Sequence, residues 1–433
     1  MTDTSVEIQH KKQGGEKDAV SIFVVEILEI ISYFLKQQSA LLRLAEQIEK
    51  PNIDFDEMRK EASKFIRDRS NEVLDEDVLQ RMFSVFQSGD RSKPREELLE
   101  EKLGELRQVI NLLPPETRSI YREGYWRQMA GPLERVKFTS SALLITLISE
   151  LEVTVRHLMS ATTALRPEAI LSDGKSITFS ELKNFTTVDE VEQYLIDKCV
   201  DEAIRGSLEN WLDFFTKHFG IKRQEVKFWP EIIEPMQRRH CHIHNRGKVS
   251  TAYLGHVRAT DHSLGDELEV DVAYLKKAAD FTYLFVYSLA WRLVTEFVPS
   301  NENAWSLAEQ VIGGPAYWLL KEGRFSALVQ LEGVAPLEKL APRLSLDIQT
   351  NIWLAYKFSG RFPEVEQKVQ EFDVRDRSIS FQLAKAALLD QTDTAAHLIK
   401  VGLDTGELTK KDIVRWPLLK SAYSEYKLIY QDD

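Results

Sequence analysis

The chain has 433 residues, 43% of them apolar and 29% charged, a balance that fits two or three globular domains and excludes an intrinsically disordered chain. Its net charge of −12, from 56 Lys and Arg against 68 Asp and Glu, argues against broad coating of DNA but leaves room for RNA in a local basic groove. Two cysteines, Cys199 and Cys241, exclude a disulfide scaffold and suit a reducing, cytoplasmic setting.

Helical periodicity dominates and hairpin signals are almost lacking, so the predicted fold class is all-α. Residues 1–17 are polar and read as a flexible tail, without the basic start and apolar stretch of a signal peptide. A long helix is expected over 18–49, stopped by Pro51. Its most apolar run, residues 20–35, is shorter than a bilayer span and carries Glu26 and Glu29. It reads as a bundle or dimer helix, and no membrane partner is expected. Charged helices follow over 54–88 and 95–113, with a loop at 88–94 between them. Together 18–130 form an N-terminal helical region.

Residues 131–298 read as a central helical bundle. A helix over about 138–163 places Leu143, Leu144, Leu147, Leu151 and Val155 at core spacing, and Pro167 follows its end. Segments 176–185, 187–207 and 208–219 are helical in pattern, with Thr187 and Glu190 at capping-box spacing. The next helix begins near Pro230 or restarts at Pro235, and ends near Gly247. A turn or strand-like link at 265–272 leads to an aromatic-rich helix over 272–297.

Residues 299–433 look repetitive. Leu319-Leu320-Lys321-Glu322-Gly323-Arg324-Phe325 is echoed by Tyr356-Lys357-Phe358-Ser359-Gly360-Arg361-Phe362, with the glycines 360 − 323 = 37 residues apart. A weaker third turn falls at Gln391-Thr392-Asp393. Helix, glycine turn and helix at this period resemble a tetratricopeptide-like solenoid, an architecture that implies a regulatory protein or ligand as partner.

The densest chemistry lies in Arg239-His240-Cys241-His242-Ile243-His244-Asn245-Arg246-Gly247. At about 100° per residue, Arg239, His240, Ile243 and His244 fall within an arc of about 140°. His240 and His244 are i and i+4, so they stack on one face. A permanent cation beside two imidazoles suits phosphate chemistry: Arg neutralises a phosphate oxygen and His moves a proton. Arg238, Arg246 and Lys248 add a local basic cluster for substrate binding. The same i, i+4 histidines could pair on zinc, with Cys241 and His242 crowding nearby. However, no Glu follows His240, and His256 and His262 are poorly spaced, so no metal is expected. Walker A and Gly-x-Ser-x-Gly signatures are absent, and nothing supports a Cys–His nucleophile at Cys199 or Cys241.

An Arg, a polar residue and a His after four intervening positions, late in a helical bundle, resemble the HEPN superfamily over residues 131–298. His240 stands where Asn is commoner. The resemblance implies a homodimer whose motif helices meet, and an endoribonuclease without cofactor. In that reading His244 is the general acid or base and Arg239 stabilises charge on phosphorus, while His240 and Asn245 orient the phosphate or the imidazole. Glu152 is the supporting acid, with Glu150 as its rival. Anti-phage defence or toxin activity is the implied setting. A non-catalytic helical adaptor that dimerises or binds RNA is the alternative.

Overall fold

Helix starts in this chain are written by short polar side chains that accept hydrogen bonds from the first free amides. Asp54 accepts from the amides of Asp56 and Glu57, Asp75 from Val78, Ser207 from Asn210 and Ser250 from Tyr253. Thr187 does so for Glu190, as its spacing predicts, but the Glu190 carboxylate turns back onto Thr186 rather than Thr187. The computed structural model describes residues 4–49, 54–70, 73–85, 95–172, 176–221, 228–258, 260–299, 304–375 and 377–430. The predicted loop at 88–94 lies outside the described residues.

The elements in chain order are α1 (Thr4–Glu49), α2 (Phe55–Arg67), α3 (Glu76–Ser84), α4 (Arg95–Asn111), α5 (Arg118–Leu165), α6 (Glu168–Leu171), α7 (Phe179–Leu182), α8 (Val188–Ile204), α9 (Leu208–Phe219), α10 (Trp229–His244), α11 (Thr251–His256), α12 (Val272–Phe297), α13 (Trp305–Lys321), α14 (Phe325–Leu331), α15 (Pro342–Phe358), α16 (Glu366–Glu371), α17 (Ile379–Leu388), α18 (Thr392–Thr405), α19 (Lys410–Arg415) and α20 (Lys420–Tyr430). The fold is all-α, 78% helical. Among the described residues the only β feature is one antiparallel bridge, Lys248 to Glu267.

Three expectations differ from what is found. Residues 4–17, predicted as a tail, continue α1, since Lys, Glu and Gln extend a helix at little cost once it is nucleated. Segment 176–185 yields only the single turn of α7, closed by a capping box between Thr178 and Glu181. The boundary drawn at 130/131 falls inside α5, a continuous 48-residue helix. The chain instead divides into two compact units, one of residues 1–39, 149–234 and 277–433, the other of 40–148 and 235–276.

In the first unit α12 is apolar on nearly every face and is buried accordingly. Tyr283, Phe285, Tyr287 and Leu293 are at most 2% exposed. The Tyr287 hydroxyl donates to the Ile312 carbonyl at 2.9 Å, which satisfies the one polar atom of a fully buried ring. Phe23 and Phe219 both meet Phe297 edge-on. Arg324, 7% exposed, donates to Asp280 at 2.8 Å and to Gln38 at 2.8 Å, and Gln38 donates to Thr282 at 3.0 Å.

The C-terminal helices of this unit pack as neighbours: α13 on α14 and α15, α15 on α17, α17 on α18, α18 on α20. Three turns share one geometry. Gly323, Gly360 and Asp390 are left-handed, with φ of 70°, 74° and 54°. The amide after each bonds back five residues: Arg324 to Leu319, Arg361 to Tyr356 and Gln391 to Ala386, at 2.8–2.9 Å. This is the Schellman closure that glycine favours. Asp390 holds the third turn without glycine, and its carboxylate is paired with Lys357 at 2.7 Å.

The second unit has a core of Phe65, Ile66, Leu79, Met82, Leu106 and Tyr125 between α2, α3, α4 and the start of α5. Helix α5 is also the one described helix long and apolar enough, by length and composition, to cross a membrane. Of its most apolar window, 44% is buried inside the protein.

Candidate functional site

Helix α10 runs through Pro235 without interruption and ends at His244. Its last two turns are sharply two-sided. His240, Ile243 and His244 are exposed, Arg239 and His242 are half-buried, and Arg238 and Cys241 are buried. Helical geometry places the exposed trio within about 100° and the Arg238–Cys241–His242 side roughly opposite. The His240 and His244 rings touch, with centroids 4.6 Å apart and planes at 52°. The pattern at i and i+4 is therefore realised as one solvent-facing pair of imidazoles, with Arg239 at its edge.

The buried side explains why the exposed side is held still. Cys241, Val249, Tyr253, Val257 and Leu268 form a small apolar core under the end of α10. Cys241 Sγ lies 3.7 Å from Ser250 Oγ, the residue that caps α11. Arg238 is committed to packing: its guanidinium donates to the Glu269 carbonyl and lies 4.1 Å over the Tyr274 ring. Sequence assigned Arg238 to substrate. The structure instead gives it a partner inside the unit, 8% exposed, and leaves Arg246 and Lys248 as the exposed cations of that cluster.

The helix stops through two successive left-handed residues, Arg246 at φ 55° and Gly247 at φ 75°. The Gly247 amide bonds to the Cys241 carbonyl at 3.0 Å. Asn245 Nδ2 donates to the Lys248 carbonyl at 2.7 Å, so its side chain braces the turn. Beyond it, Leu268 donates to the Gly247 carbonyl and Val249 to that of Asp266, pinning 247–249 to 266–268. The sequence signal at Gly247 was a helix stop, and the stop is doubly specified. A Cβ at Gly247 would lie 2.9 Å from His242 Cε1 and 3.0 Å from Nδ1. Gly247→Ala is expected to destabilise the protein by about 1–3 kcal/mol through left-handed strain and the displaced ring. Urea denaturation measures it, and an unchanged midpoint would contradict the assignment.

His242, weighed in the sequence only as a neighbour of a zinc pair, is the histidine that folding perturbs. Burial pushes its pKa below the ordinary 6.5, and Arg238 on its own helix acts in the same direction. The Leu268 backbone and Glu267 pull the other way, and burial wins. A histidine depressed by folding binds fewer protons in the native state. Its contribution is therefore complete above about pH 6.5 and declines as pH falls below that value. Melting temperature is expected to drop between pH 7 and 5 in the wild type, and to drop less in His242→Gln.

Glu152 and Glu150 are half-buried on α5 within the first unit, whereas the motif belongs to the second. A further pairing in the first unit had no local sequence signal: Cys199 Sγ lies 3.9 Å from His218 Nε2, nineteen residues away. Cys199 is 6% exposed and His218 packs among Phe214 and Phe219, which makes this a packed pair. Among the described residues no group of three or more His, Cys, Asp or Glu side chains converges as a metal site. His242 turns away from the His240–His244 pair, and Cys241 is spent in the apolar core. No family model, no curated protein and no solved structure matches the chain.

Proposed function

We propose that the chain is a HEPN-type endoribonuclease that needs no metal and acts in anti-phage defence or as a toxin. The observation that supports this reading is the pair of exposed, touching imidazoles at the end of α10 with Arg239 beside them. Such a surface suits a phosphodiester that brings its own nucleophile. The ribose 2′-oxygen attacks phosphorus and gives its proton to a base, and the P–O5′ bond breaks as the 5′-oxygen takes a proton from an acid. The products are a 2′,3′-cyclic phosphate and a 5′-hydroxyl. His244 carries the proton, His240 orients its ring, and Arg239 stabilises the negative charge on the phosphoryl oxygens. Arg246 and Lys248 contact flanking phosphates, and Asn245 keeps the turn that presents them. The exposed face of α10, including Ile243 at 43% exposure, meets the same face of a second copy in a homodimer. The tetratricopeptide-like C-terminal helices receive a protein or ligand that holds the activity in check.

The decisive experiment incubates the purified full chain with total RNA in EDTA and maps the new ends. Cleavage that persists in EDTA and leaves 2′,3′-cyclic phosphates is expected. Cleavage that EDTA abolishes, or ends bearing 3′-hydroxyls, would overturn the mechanism. Expression in cells gives a second readout: new RNA ends should appear with wild type and not with His244→Ala.

A further inference from the structure

In the first unit the last turns of α12 carry a cation without a counter-ion. Arg292 is half-buried, and its Nε is sealed from solvent with no hydrogen-bond partner. Burial alone acts on its pKa, downward, with no carboxylate close enough to oppose it. The helix accounts for this. Side chains on an α-helix lean toward its N-terminus, which directs Arg292 back toward Ser288 and away from Glu296. Its contact there is the Trp291 ring, whose centroid is 5.5 Å from the guanidinium carbon. Trp291 is 9% exposed, and its indole nitrogen also has no partner. A second cation reaches the same ring from another element: Lys339 Nζ is 5.8 Å from its centroid. Lys339 is exposed at the end of a single 3-10 turn, Leu337–Lys339, set between the buried Pro336 and Leu340. It makes no ion pair among the described residues. Two positive charges around one indole repel each other, and the half-buried one has lost water without gaining an acceptor.

The surroundings select the anion. No base can stack on Trp291, whose ring is buried, and a net charge of −12 works against a polyanion. A carboxylate is planar and matches the terminal nitrogens of a guanidinium as a fork. Acidic residues two apart on an extended segment point to the same side, roughly 7 Å from one another, so one can meet a guanidinium while the next meets an ammonium nearby. We infer that Arg292 and Lys339 form a docking point for an acidic segment of a protein partner, with one carboxylate forked on Arg292 and a second on Lys339. The partner's carboxylate supplies the acceptor that Arg292 lacks in the free protein. This gives a chemistry to the partner that the C-terminal helices receive. Its regulatory consequence, restraint of cleavage, rests on the nuclease reading; the docking itself does not.

The test titrates the ¹⁵N-labelled full chain with a capped pentapeptide that carries glutamate at its second and fourth positions. The readout is the indole N–H resonances of the eight tryptophans, with that of Trp291 identified by its loss in Trp291→Phe. A saturable shift of the Trp291 resonance is expected, and none with the same peptide carrying glutamine instead. Arg292→Met keeps the stem and removes the charge, and should weaken the affinity at least tenfold, the worth of a charge-assisted hydrogen bond. In the free protein the same variant should raise the urea midpoint, opposite to the loss of a structural arginine. Lys339→Gln, at an exposed position that the fold does not depend on, should weaken the affinity roughly threefold to fivefold, the worth of an exposed ion pair. No shift with the glutamate peptide, a shift retained in Arg292→Met, or a lowered midpoint in that variant overturns the proposal. So does an equal shift from inorganic phosphate or from an oligoribonucleotide. A peptide that shifts Trp291 in a protein that cuts no RNA leaves the docking point standing and removes the nuclease reading.

Discussion

His244→Ala is expected to lower RNA cleavage by about 10²–10⁴-fold, the usual worth of a positioned acid or base, while leaving the fold intact. The fold should survive because His244 is exposed and lies at the last position of α10, where no apolar contact depends on it. Arg239→Ala should cost a comparable factor. Arg239→Lys should recover only part of it, since a point charge does not reproduce a planar fork on a phosphate. A substrate with 2′-deoxyribose at the cut site should be inert with every variant. Single-turnover rates on a defined oligoribonucleotide provide the measurement. A His244→Ala protein that cuts at the wild-type rate would remove this motif from the chemistry, whereas a wild type that cuts no RNA would leave the adaptor alternative. The exposed histidine pair would then be only a surface feature of the helix.

The second large effect concerns stability. Arg324→Ala is expected to destabilise the protein by about 3–5 kcal/mol, because it removes the cation paired with the buried Asp280 carboxylate and the donor to Gln38 Oε1. Asp280 is 8% exposed and loses its ion pair in this variant. The compensated double variant Arg324→Met/Asp280→Leu should recover most of the loss, since a buried ion pair and an apolar pair of similar volume are often close in energy. Chemical denaturation of the single and double variants closes the cycle. A single variant within about 0.5 kcal/mol of wild type would show that the network is solvated.

These two sites show what periodicity can and cannot reveal. The core positions of α5 were legible because they repeat at helical spacing: Leu144, Leu147, Leu151 and Val155 are all 0% exposed. The face shared by His240 and His244 was legible for the same reason, and their rings do touch. The repeat at Gly323 and Gly360 correctly signalled two left-handed turns. It could not signal that Arg324 is buried in an ion pair while Arg361, at the equivalent position, is exposed and bonded to Glu364 at 2.7 Å. That difference depends on what packs against each turn, and Asp280 and Gln38 are far away in sequence. The burial of Arg238 against Glu269 and Tyr274 was hidden for the same reason. Adjacent arginines look alike in a string, but successive residues of a helix point about 100° apart, so one faces the core and the next does not. Segment 176–185 was overread because apolar spacing alone does not reveal how soon a capping threonine starts the next helix.

Arg246 combines two demands at one position. It is one of two non-glycine residues with positive φ among the described residues, and such a backbone costs about 1 kcal/mol or more. Glycine, asparagine or aspartate would sit there more comfortably, so the turn itself does not require an arginine. Any lineage free of the need for a cation beside His244 has an easy route to a sturdier protein through that codon. An arginine kept at position 246 against that strain would be a sign that a cation is needed at the end of α10, and Arg246→Gly should then stabilise the protein while weakening RNA binding.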